Sequence, residues 1–236
     1  MRSNVISVVI PTYQHADAVK VCLESLRAQE DVQLEIIVVN DGSTDNTTEI
    51  LTPYEEEILV IHQENSGSNP ARNRGAEEST GAYIIFVDAD VSFKPGALRK
   101  MQDLLDRHAE ASYVYSGFRF GWKIFRCIAF DAEKLRVSNY IHTTSLMRRE
   151  DFAGFDNKIK RLQDWDLWLT MLAQGKKGIG INEILFSVMI DGDSRIGSSW
   201  LPAFMYRLPW KRISWKPKTI QKYEEAKRII LEKHAL

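Results

Sequence analysis

The chain has 236 residues, 44% of them hydrophobic, which suffices for the core of one large domain and argues against a chain disordered throughout. With 31 basic and 32 acidic residues the formal net charge is −1, which argues against nucleic-acid binding driven by global charge. The two cysteines, Cys22 and Cys127, form no CxxC motif or disulfide framework, a usage typical of a reducing cytoplasm.

Zinc binding and membrane spanning are not expected either. The five histidines form no HExxH motif or Cys/His cluster, so no zinc site is predicted. The sequence begins without the apolar run of a signal peptide, and no segment approaches the roughly 18 apolar residues that suggest a membrane span. These features predict a soluble or peripheral protein.

The first half of the chain alternates between strand and helix patterns. Short apolar runs predict buried strands, and apolar stripes at helical spacing predict the helices between them, with Asp17 and Asn69 as expected caps. The alternation predicts an α/β fold with a mostly parallel sheet covered by helices on both faces, and ligands bind such sheets beyond the carboxyl ends of the strands. The predicted elements are strand 5–11, helix 17–29, strand 34–40, helix 44–54, strand 57–63, helix 69–80 and a strand within 82–90.

After residue 93 the pattern is less regular. Segment 122–140 favours neither state, and a basic, Trp-rich tail begins near residue 196. Gly175 is the expected end of the last helix before that tail. The predicted elements are helix 95–110, strand 111–121, a strand feeding a short helix over 140–150, helix 163–175 and an amphipathic helix over 219–236.

Two aspartates, Asp88 and Asp90, follow the apolar run YIIFV of the fourth strand. In an extended segment residues two apart point to the same face, so these carboxylates are predicted to lie together and to need a positive partner. Mg²⁺ and Mn²⁺ prefer oxygen ligands and typically bind one or two carboxylates plus substrate phosphates. The pair favours a metal-bound diphosphate, although acid-x-acid alone is a weak pattern that helix caps also produce.

A second polar cluster, NDGSTDNT, follows the second strand. Turn formation explains Gly42, and helix capping explains Ser43 or Asp45, but neither gives Asp41 a structural task. Asp41 could therefore accept hydrogen bonds from a nucleobase or a ribose hydroxyl. The alternative, that the whole stretch is only a turn, stands equally well on these residues.

The third cluster is ARNRG, near the start of the third helix. Ala71 and Gly75 lie four residues apart on one face, where small side chains allow close packing on the sheet. Arg72 and Arg74 lie near the positive end of the helix dipole, which suggests an anion or an aromatic ring as partner. The alternative is a pair of solvated surface arginines.

Phosphate-binding loops of two common kinds are missing, since neither GxxxxGK[ST] nor a GxGxxG after a strand occurs. Instead, VVIPTYQ, VVNDGSTDNT, ARNRG, FVDAD, SLMRREDFAGFD and QDWDLW occur in this order. The ordered set resembles GT-A-fold glycosyltransferases of the family 2 type, over roughly residues 5–195. The resemblance implies a nucleoside pocket lined by Pro11, Thr12 and Tyr13, a base contact by Asp41 flanked by Arg72, a ribose contact by Asp88, and Mn²⁺ or Mg²⁺ bound by Asp90.

The resemblance also implies that Asp164, the first aspartate of QDWDLW, is the general base of an inverting sugar transfer. The alternative is structural: Asp164 and Asp166 favour the positive end of a helix, and the tryptophans between them are core. Two features depart from the family pattern. Gln163 stands where glutamate is common, and 189–199 lacks a histidine for the metal, so Asp191, Asp193 or a water would serve.

The resemblance implies a GT-A domain over 1–195, with a nucleotide-binding half at 1–95 and an acceptor-binding half at 96–195. The remainder, 196–236, is a basic aromatic tail with a terminal helix. Its segment 200–218 interleaves tryptophans with lysines and arginines, which suits the headgroup region of an anionic membrane. The alternatives are a segment folded over the acceptor cleft and, third, stacking on single-stranded RNA.

The function predicted by these residues and this resemblance is inverting transfer of a single sugar from a nucleotide-sugar donor to an acceptor hydroxyl. Transfer of a single sugar is expected because the QxxRW pattern of processive synthases is missing and no membrane span is predicted. The resemblance implies a hexosyltransferase, and a UDP-sugar is the expected donor. The acceptor is a glycan or lipid-linked, and the setting is cell-surface glycan or glycolipid synthesis, in the cytoplasm or peripheral at the inner face of the membrane. The alternatives are a nucleotidyltransferase that makes nucleotide sugars and a non-catalytic nucleotide-binding module.

Overall fold

The computed structural model describes residues 4–189 and 217–236. Within them, nine strands form one sheet and helices cover both of its faces. The strands are β1 (Val5–Thr12), β2 (Gln33–Asp41), β3 (Leu59–Gln63), β4 (Tyr83–Phe86), β5 (Val91–Phe93), β6 (Tyr113–Phe120), β7 (Lys123–Phe125), β8 (Leu146–Arg148) and β9 (Gly178–Val188). The helices are α1 (Ala16–Arg27), α2 (Thr47–Leu51), α3 (Ser68–Glu78), α4 (Ala97–Arg107), α5 (Ala132–Val137), α6 (Gln163–Ala173) and α7 (Lys218–Lys233), with 3₁₀ turns at Thr52–Tyr54 and Arg149–Asp151.

The sheet has the order β3-β2-β1-β4-β8-β6-β9-β5, and β7 pairs with β6. The ladders β3-β2-β1-β4 are all parallel, as predicted for the first half, and antiparallel pairs enter with β8. Because β8 runs antiparallel to both β4 and β6, β6 runs in the same direction as β4. The carboxyl ends of β1, β2, β4 and β6 therefore meet at one edge of the sheet, here called the carboxyl edge.

The side chains of successive strand residues supply two cores, one on each face of the sheet. Val8 belongs to the core beneath α1, together with Leu23. Its neighbour Val9 belongs to the opposite core, which contains Trp165 and Trp168 of α6. This is the period of two that a sheet covered on both faces requires.

The helix caps differ from the predicted ones. His15, not Asp17, is the N-cap of α1, and Asp17 lies in the first turn. Gly67 precedes α3, so Asn69 is already helical; its amide instead donates to the carbonyl oxygens of Asp156 and Ile159. Both predictions placed the cap by residue type alone, but tertiary contacts of the neighbouring loops set where each helix begins.

The strands β5, β7 and β9 were not predicted by the sequence. β9 carries Gly178 and Gly180, which weaken a strand pattern because they have no side chain to pack. Here the glycines are needed, since a Cβ on Gly178 would lie 2.3 Å from the Tyr113 ring, and one on Gly180 would lie 2.6 Å from the Cys127 sulfur. The local signal for a strand was thus lost where close packing across the sheet demanded glycine.

Helix α7 packs against the domain through apolar and ionic contacts. Ile230 is fully buried in the same core as Trp165. The Asp166 carboxylate of α6, itself buried, receives the Lys233 ammonium at 2.8 Å and the His234 Nε2 at 2.8 Å. The predicted terminal helix is confirmed, and these contacts join it to the helix that carries Asp164.

Helix α3 lies unusually close to the sheet at Gly75. A Cβ built there would stand 2.3 Å from Val9 Cγ1. Gly75→Ala is therefore expected to lower the free energy of unfolding by about 1–3 kcal/mol, because α3 must move outward. Alanine is a better helix former than glycine by about 1 kcal/mol, so a net loss of stability would be due to the clash with Val9.

Urea unfolding measures the effect of Gly75→Ala, and Arg74→Ala on the same helix is its control. Arg74 is half-exposed and pairs with Glu77 and Glu78, so its loss should change stability by less than about 0.5 kcal/mol. An unchanged or raised unfolding midpoint for Gly75→Ala would contradict the close-packing role.

Candidate active site

The carboxyl edge brings together most of the residues that the sequence predicted for a site. Thr12 and Asp41 end β1 and β2, Asp88 follows β4, and Arg72 reaches Asp88 from α3. On α6, Asp164 is close enough to Arg72 for the guanidinium charge to act on the pKa of the Asp164 carboxyl. These five side chains come from separate parts of the chain, and only the fold of the sheet assembles them.

Asp41 has the structural task that the sequence did not reveal. Its Oδ1 accepts hydrogen bonds from Gln63 Nε2 at 2.6 Å and from the Ser66 backbone N–H at 2.9 Å, and its Oδ2 accepts from the Gly67 N–H at 2.8 Å. The carboxylate thereby anchors the loop that leads into α3. The loop also packs on Gly42, where a Cβ would lie 2.8 Å from a backbone nitrogen.

Three donors leave one of the four acceptor positions of Asp41 unused, on Oδ2. A carboxylate in this state can take one further hydrogen bond, such as one from a nucleobase N–H. The structural and functional interpretations of Asp41 are therefore compatible.

The segment after β1 places Thr12 and Tyr13 in different environments. Thr12 is buried, and its hydroxyl has no hydrogen-bond partner in the structure. Tyr13 is 38% exposed. The next residue, Gln14, has a φ of 57°, and its side-chain oxygen accepts from the Thr44 and Asp45 N–H groups. This bridge fixes the loop after β1 to the loop after β2 and leaves the Tyr13 ring at the surface.

Asp88 and Asp90 lie in a turn, so the expectation that they share a strand face is wrong. Strand β4 ends at Phe86, and the Val91 N–H donates to the Asp88 carbonyl oxygen at 3.0 Å. In such a turn, successive side chains no longer point to alternate faces as they do in an extended strand. The thiol of Cys22 lies beneath the turn, and its pKa is raised by burial and by the negative charges of Asp90 and Asp88.

Arg72 is the positive partner of Asp88. It is only 5% exposed, which excludes the solvated-surface alternative, and its Nη2 lies 2.7 Å from Asp88 Oδ1. Burial alone would raise the pKa of Asp88, but Arg72, together with His142, holds that pKa below its ordinary value. Arg72 also lies over the Phe155 ring, 5.2 Å from its centroid.

Buried polar atoms without partners are uncommon in folded proteins and cost about 1–3 kcal/mol each. Within residues 4–189 and 217–236 there are four such side-chain atoms, and Thr12 Oγ1 and Arg72 Nε are two of them. Both belong to residues predicted to line the nucleotide pocket. Arg74, by contrast, forms only surface ion pairs, so its solvated interpretation is confirmed.

The donor set around Asp90 fits a divalent cation that needs substrate to complete its coordination. Asp90 is 7% exposed, and Arg72 pairs with Asp88. The described parts of the chain hold no group of three His, Cys, Asp or Glu side chains that could bind a metal unaided. Mg²⁺ and Mn²⁺ are commonly held by one or two carboxylates with phosphate oxygens and water, so one carboxylate such as that of Asp90 would suffice beside a diphosphate.

Asp164 is the second residue of α6 and lies near the carboxyl edge. Its Oδ2 accepts a hydrogen bond from Asn139 Nδ2 at 2.7 Å, and its Oδ1 accepts from the Trp165 N–H at 2.9 Å. Burial raises the pKa of Asp164, although the Asn139 hydrogen bond and the nearby His142 act in the opposite direction. A carboxyl with a raised pKa is a better proton acceptor than an exposed aspartate.

His142 is a site residue that sequence reasoning missed. Its charged form would interact with both Asp88 and Asp164, yet burial outweighs them and lowers the pKa of His142. Its Nδ1 accepts the Thr144 N–H at 3.0 Å, so the neutral ring carries its hydrogen on Nε2. The histidine was considered only as a zinc ligand, and nothing in its local sequence connects it with residues so distant in the chain.

Several predicted features lie outside the described residues. They are the metal-ligand candidates Asp191 and Asp193 and the membrane-contact segment 200–218. Among the helices that are described, none combines the length and the apolar character needed to cross a bilayer.

Comparison with known proteins identifies the family of this fold and site. The model of "Glycosyl transferase family 2" matches residues 7–159, which is more than half of the chain. The chain belongs to glycosyl transferase family 2. The family match includes all of the motifs at the carboxyl edge from β1 to β8, and it ends before the α6 residue Asp164.

Curated relatives of this family 2 chain include proteins from several bacteria. The glycosyltransferase YibD of Escherichia coli is 48% identical over 96 residues, which are 39% of this chain but 28% of YibD. A "PGL/p-HBAD biosynthesis glycosyltransferase" of Mycobacterium bovis is 30% identical over 70% of this chain and 69% of the relative. TuaG of Bacillus subtilis, named provisionally for teichuronic acid biosynthesis, is 28% identical over 86% of this chain and 87% of TuaG.

Solved structures show the same fold at low identity. TarS 1-349 of S. aureus in complex with UDP-GlcNAc has a TM-score of 0.70 and 17% identity, covering 96% of this chain and 70% of that one. The mannosyltransferase PcManGT of Pyrobaculum calidifontis, in complex with GDP-Man and Mn2+, has a TM-score of 0.66 and 17% identity, covering 98% and 70%. The predicted GT-A fold is confirmed.

Proposed function

We propose that this family 2 chain transfers a single sugar, with inversion, from a nucleotide-sugar donor to an acceptor hydroxyl. The observation that carries the proposal is the convergence of Asp41, the Arg72–Asp88 pair and Asp164 at one edge of the sheet. Family membership favours sugar transfer over the nucleotidyltransferase and the non-catalytic module. The names of relatives and neighbours, which mention UDP-GlcNAc, GDP-Man and teichuronic acid, support a role in surface glycan synthesis.

Donor binding is assigned to the first half of the domain, residues 1–95. Asp41 takes a base N–H on its remaining acceptor position, and the exposed Tyr13 ring stacks on the nucleoside beside Pro11 and Thr12. Asp88, held as an anion by Arg72, accepts from the ribose hydroxyls. UDP is the expected nucleotide.

Asp90 and the donor phosphates would hold Mn²⁺ or Mg²⁺. When bound, the cation neutralises the charge that develops on the departing nucleoside diphosphate. The chain's own contribution at this point is the rigid turn that fixes Asp90 between β4 and β5.

The proton of the acceptor hydroxyl passes to Asp164 as that oxygen attacks the anomeric carbon and the nucleoside diphosphate leaves. Asn139 orients the Asp164 carboxylate through a 2.7 Å hydrogen bond, and the raised pKa of Asp164 favours proton acceptance. His142 has a positioning role. Its Nδ1 accepts the Thr144 N–H, so its Nε2–H is the ring donor, and the ring lies near the carboxylates of Asp88 and Asp164. The acceptor, a glycan or a lipid-linked sugar, lies over residues 96–195.

A thermal-shift panel tests the donor site. UDP with Mn²⁺ is expected to raise the unfolding midpoint by several degrees, and more than either alone, because a ligand that binds only the folded state stabilises it by mass action. GDP, TDP and CMP with Mn²⁺ are the controls for base recognition. A panel in which no nucleotide shows a metal-dependent shift contradicts the proposed site.

A further inference from the structure

The hairpin of β6 and β7, residues Arg119–Arg126, exposes apolar side chains at its tip. Trp122 is 82% exposed and Ile124 is 50% exposed. The Lys123 ammonium lies 5.3 Å from the centroid of the Trp122 ring. Exposing so much of an indole ring to water is unfavourable in free energy, and exposed apolar side chains of this kind indicate a contact surface.

The charges of this hairpin are all positive. The only charged residues from 111 to 130 are Arg119, Lys123 and Arg126. Within the part of the chain that the structure describes, none of the three forms an ion pair. The nearest following acids are engaged elsewhere: Asp131 caps α5, and Glu133 pairs with Arg136.

The hairpin packs against the candidate site through aromatic contacts. Phe118, at its base, stacks on Phe125 with centroids 4.7 Å apart and on Phe186 at 5.4 Å. The same ring contacts His142 at 4.7 Å. Since β6 ends at the carboxyl edge, the tip projects from the edge where the site lies.

We propose that the hairpin Arg119–Arg126 docks on an anionic lipid surface. An amphipathic indole beside an aliphatic side chain suits the headgroup boundary, and three cations that form no ion pair within the described residues complement anionic lipids. Docking there presents the carboxyl edge to acceptors carried by the membrane. The hairpin and segment 200–218 are separate in the sequence, and docking requires no donor, so its test is independent of the transfer reaction.

Co-sedimentation with vesicles tests the proposal. The protein is expected to pellet with vesicles of 30% phosphatidylglycerol in phosphatidylcholine, to remain soluble with phosphatidylcholine alone, and to be released by 0.5 M salt (about 3–4 times the physiological ionic strength). Trp122→Ser with Ile124→Ser, and separately Lys123→Glu with Arg126→Glu, should each lower the vesicle partition coefficient at least about tenfold. The UDP–Mn²⁺ thermal shift should be unchanged in both.

Single-substitution controls make changes of the same kind elsewhere. Val21→Ser removes a 44% exposed apolar side chain on α1, and Lys222→Glu reverses an exposed charge on α7. Both should bind vesicles like the unaltered protein. The proposal is overturned if the unaltered protein binds no vesicles, if the hairpin variants bind as well as it does, which would place any binding elsewhere such as 200–218, or if the controls lose binding equally.

Discussion

Asp164→Asn is expected to lower turnover by about 10²–10⁴-fold while donor binding is retained, because asparagine cannot accept the proton of the acceptor hydroxyl. The amide has the same shape and can keep one hydrogen bond to Asn139. Transfer of radiolabelled sugar measures turnover, and the UDP–Mn²⁺ thermal shift measures donor binding. Asp103→Asn, the same change in a half-exposed carboxylate on α4, is the control and should leave both unchanged.

The pH dependence of turnover provides a second test of Asp164. Its pKa is raised by burial, and the base must be ionised to accept a proton, so activity should fall as pH decreases through that raised pKa. The residual activity of Asp164→Asn should lose this acidic limb. Full activity in the variant, or an unchanged pH profile, would mean that Asp164 is only a helix-terminal acid.

Asp90→Asn is expected to remove the metal-dependent part of donor binding and to lower turnover more than about 10²-fold. An amide is a weaker ligand than a carboxylate for a hard cation, and the donor's diphosphate would lose its bridge to the turn after β4. The thermal shift of UDP with Mn²⁺ should fall to that of UDP alone. Titration calorimetry of Mn²⁺ into the UDP-saturated protein should show the same loss directly.

Asp17→Asn is the matched control for Asp90→Asn, since Asp17 is an exposed carboxylate in the first turn of α1. It should preserve the full metal-dependent shift. If Asp90→Asn also preserves it, the cation is bound by other residues and the assignment of Asp90 is wrong.

The sequence predicted those parts of the fold that depend on local patterns. The strands β1 to β4 and the helices α1, α4, α6 and α7 follow from apolar runs and stripes, and α3 follows from the helix-start signal of Asn69 and Pro70. Strand β9 could not be predicted in the same way, because Gly178 and Gly180 are explained only by the rings and sulfur opposite them. Antiparallel pairing through β8 likewise depends on partners far away in the chain.

Residues of the candidate site were predictable where a motif names them, but their contacts were not. Asp41 was expected to lack a structural task, yet it anchors the loop before α3. The positive partner expected beside Asp88 was a metal ion, whereas the structure places Arg72 of α3 there. His142 was missed because its importance comes from burial near two carboxylates that no local spacing reveals.

The pairing of Asp166 with Lys233 and His234 matters for any attempt to work with a shortened protein. A fragment cut where the family match stops, at residue 159, lacks α6, and one cut at residue 195 keeps α6 but removes Lys233 and His234. The second fragment would leave the Asp166 carboxylate, two positions from Asp164, without the Lys233 ammonium and the His234 imidazole that contact it. Weak activity in such a fragment would therefore reflect the missing C-terminal residues rather than the chemistry of the intact enzyme.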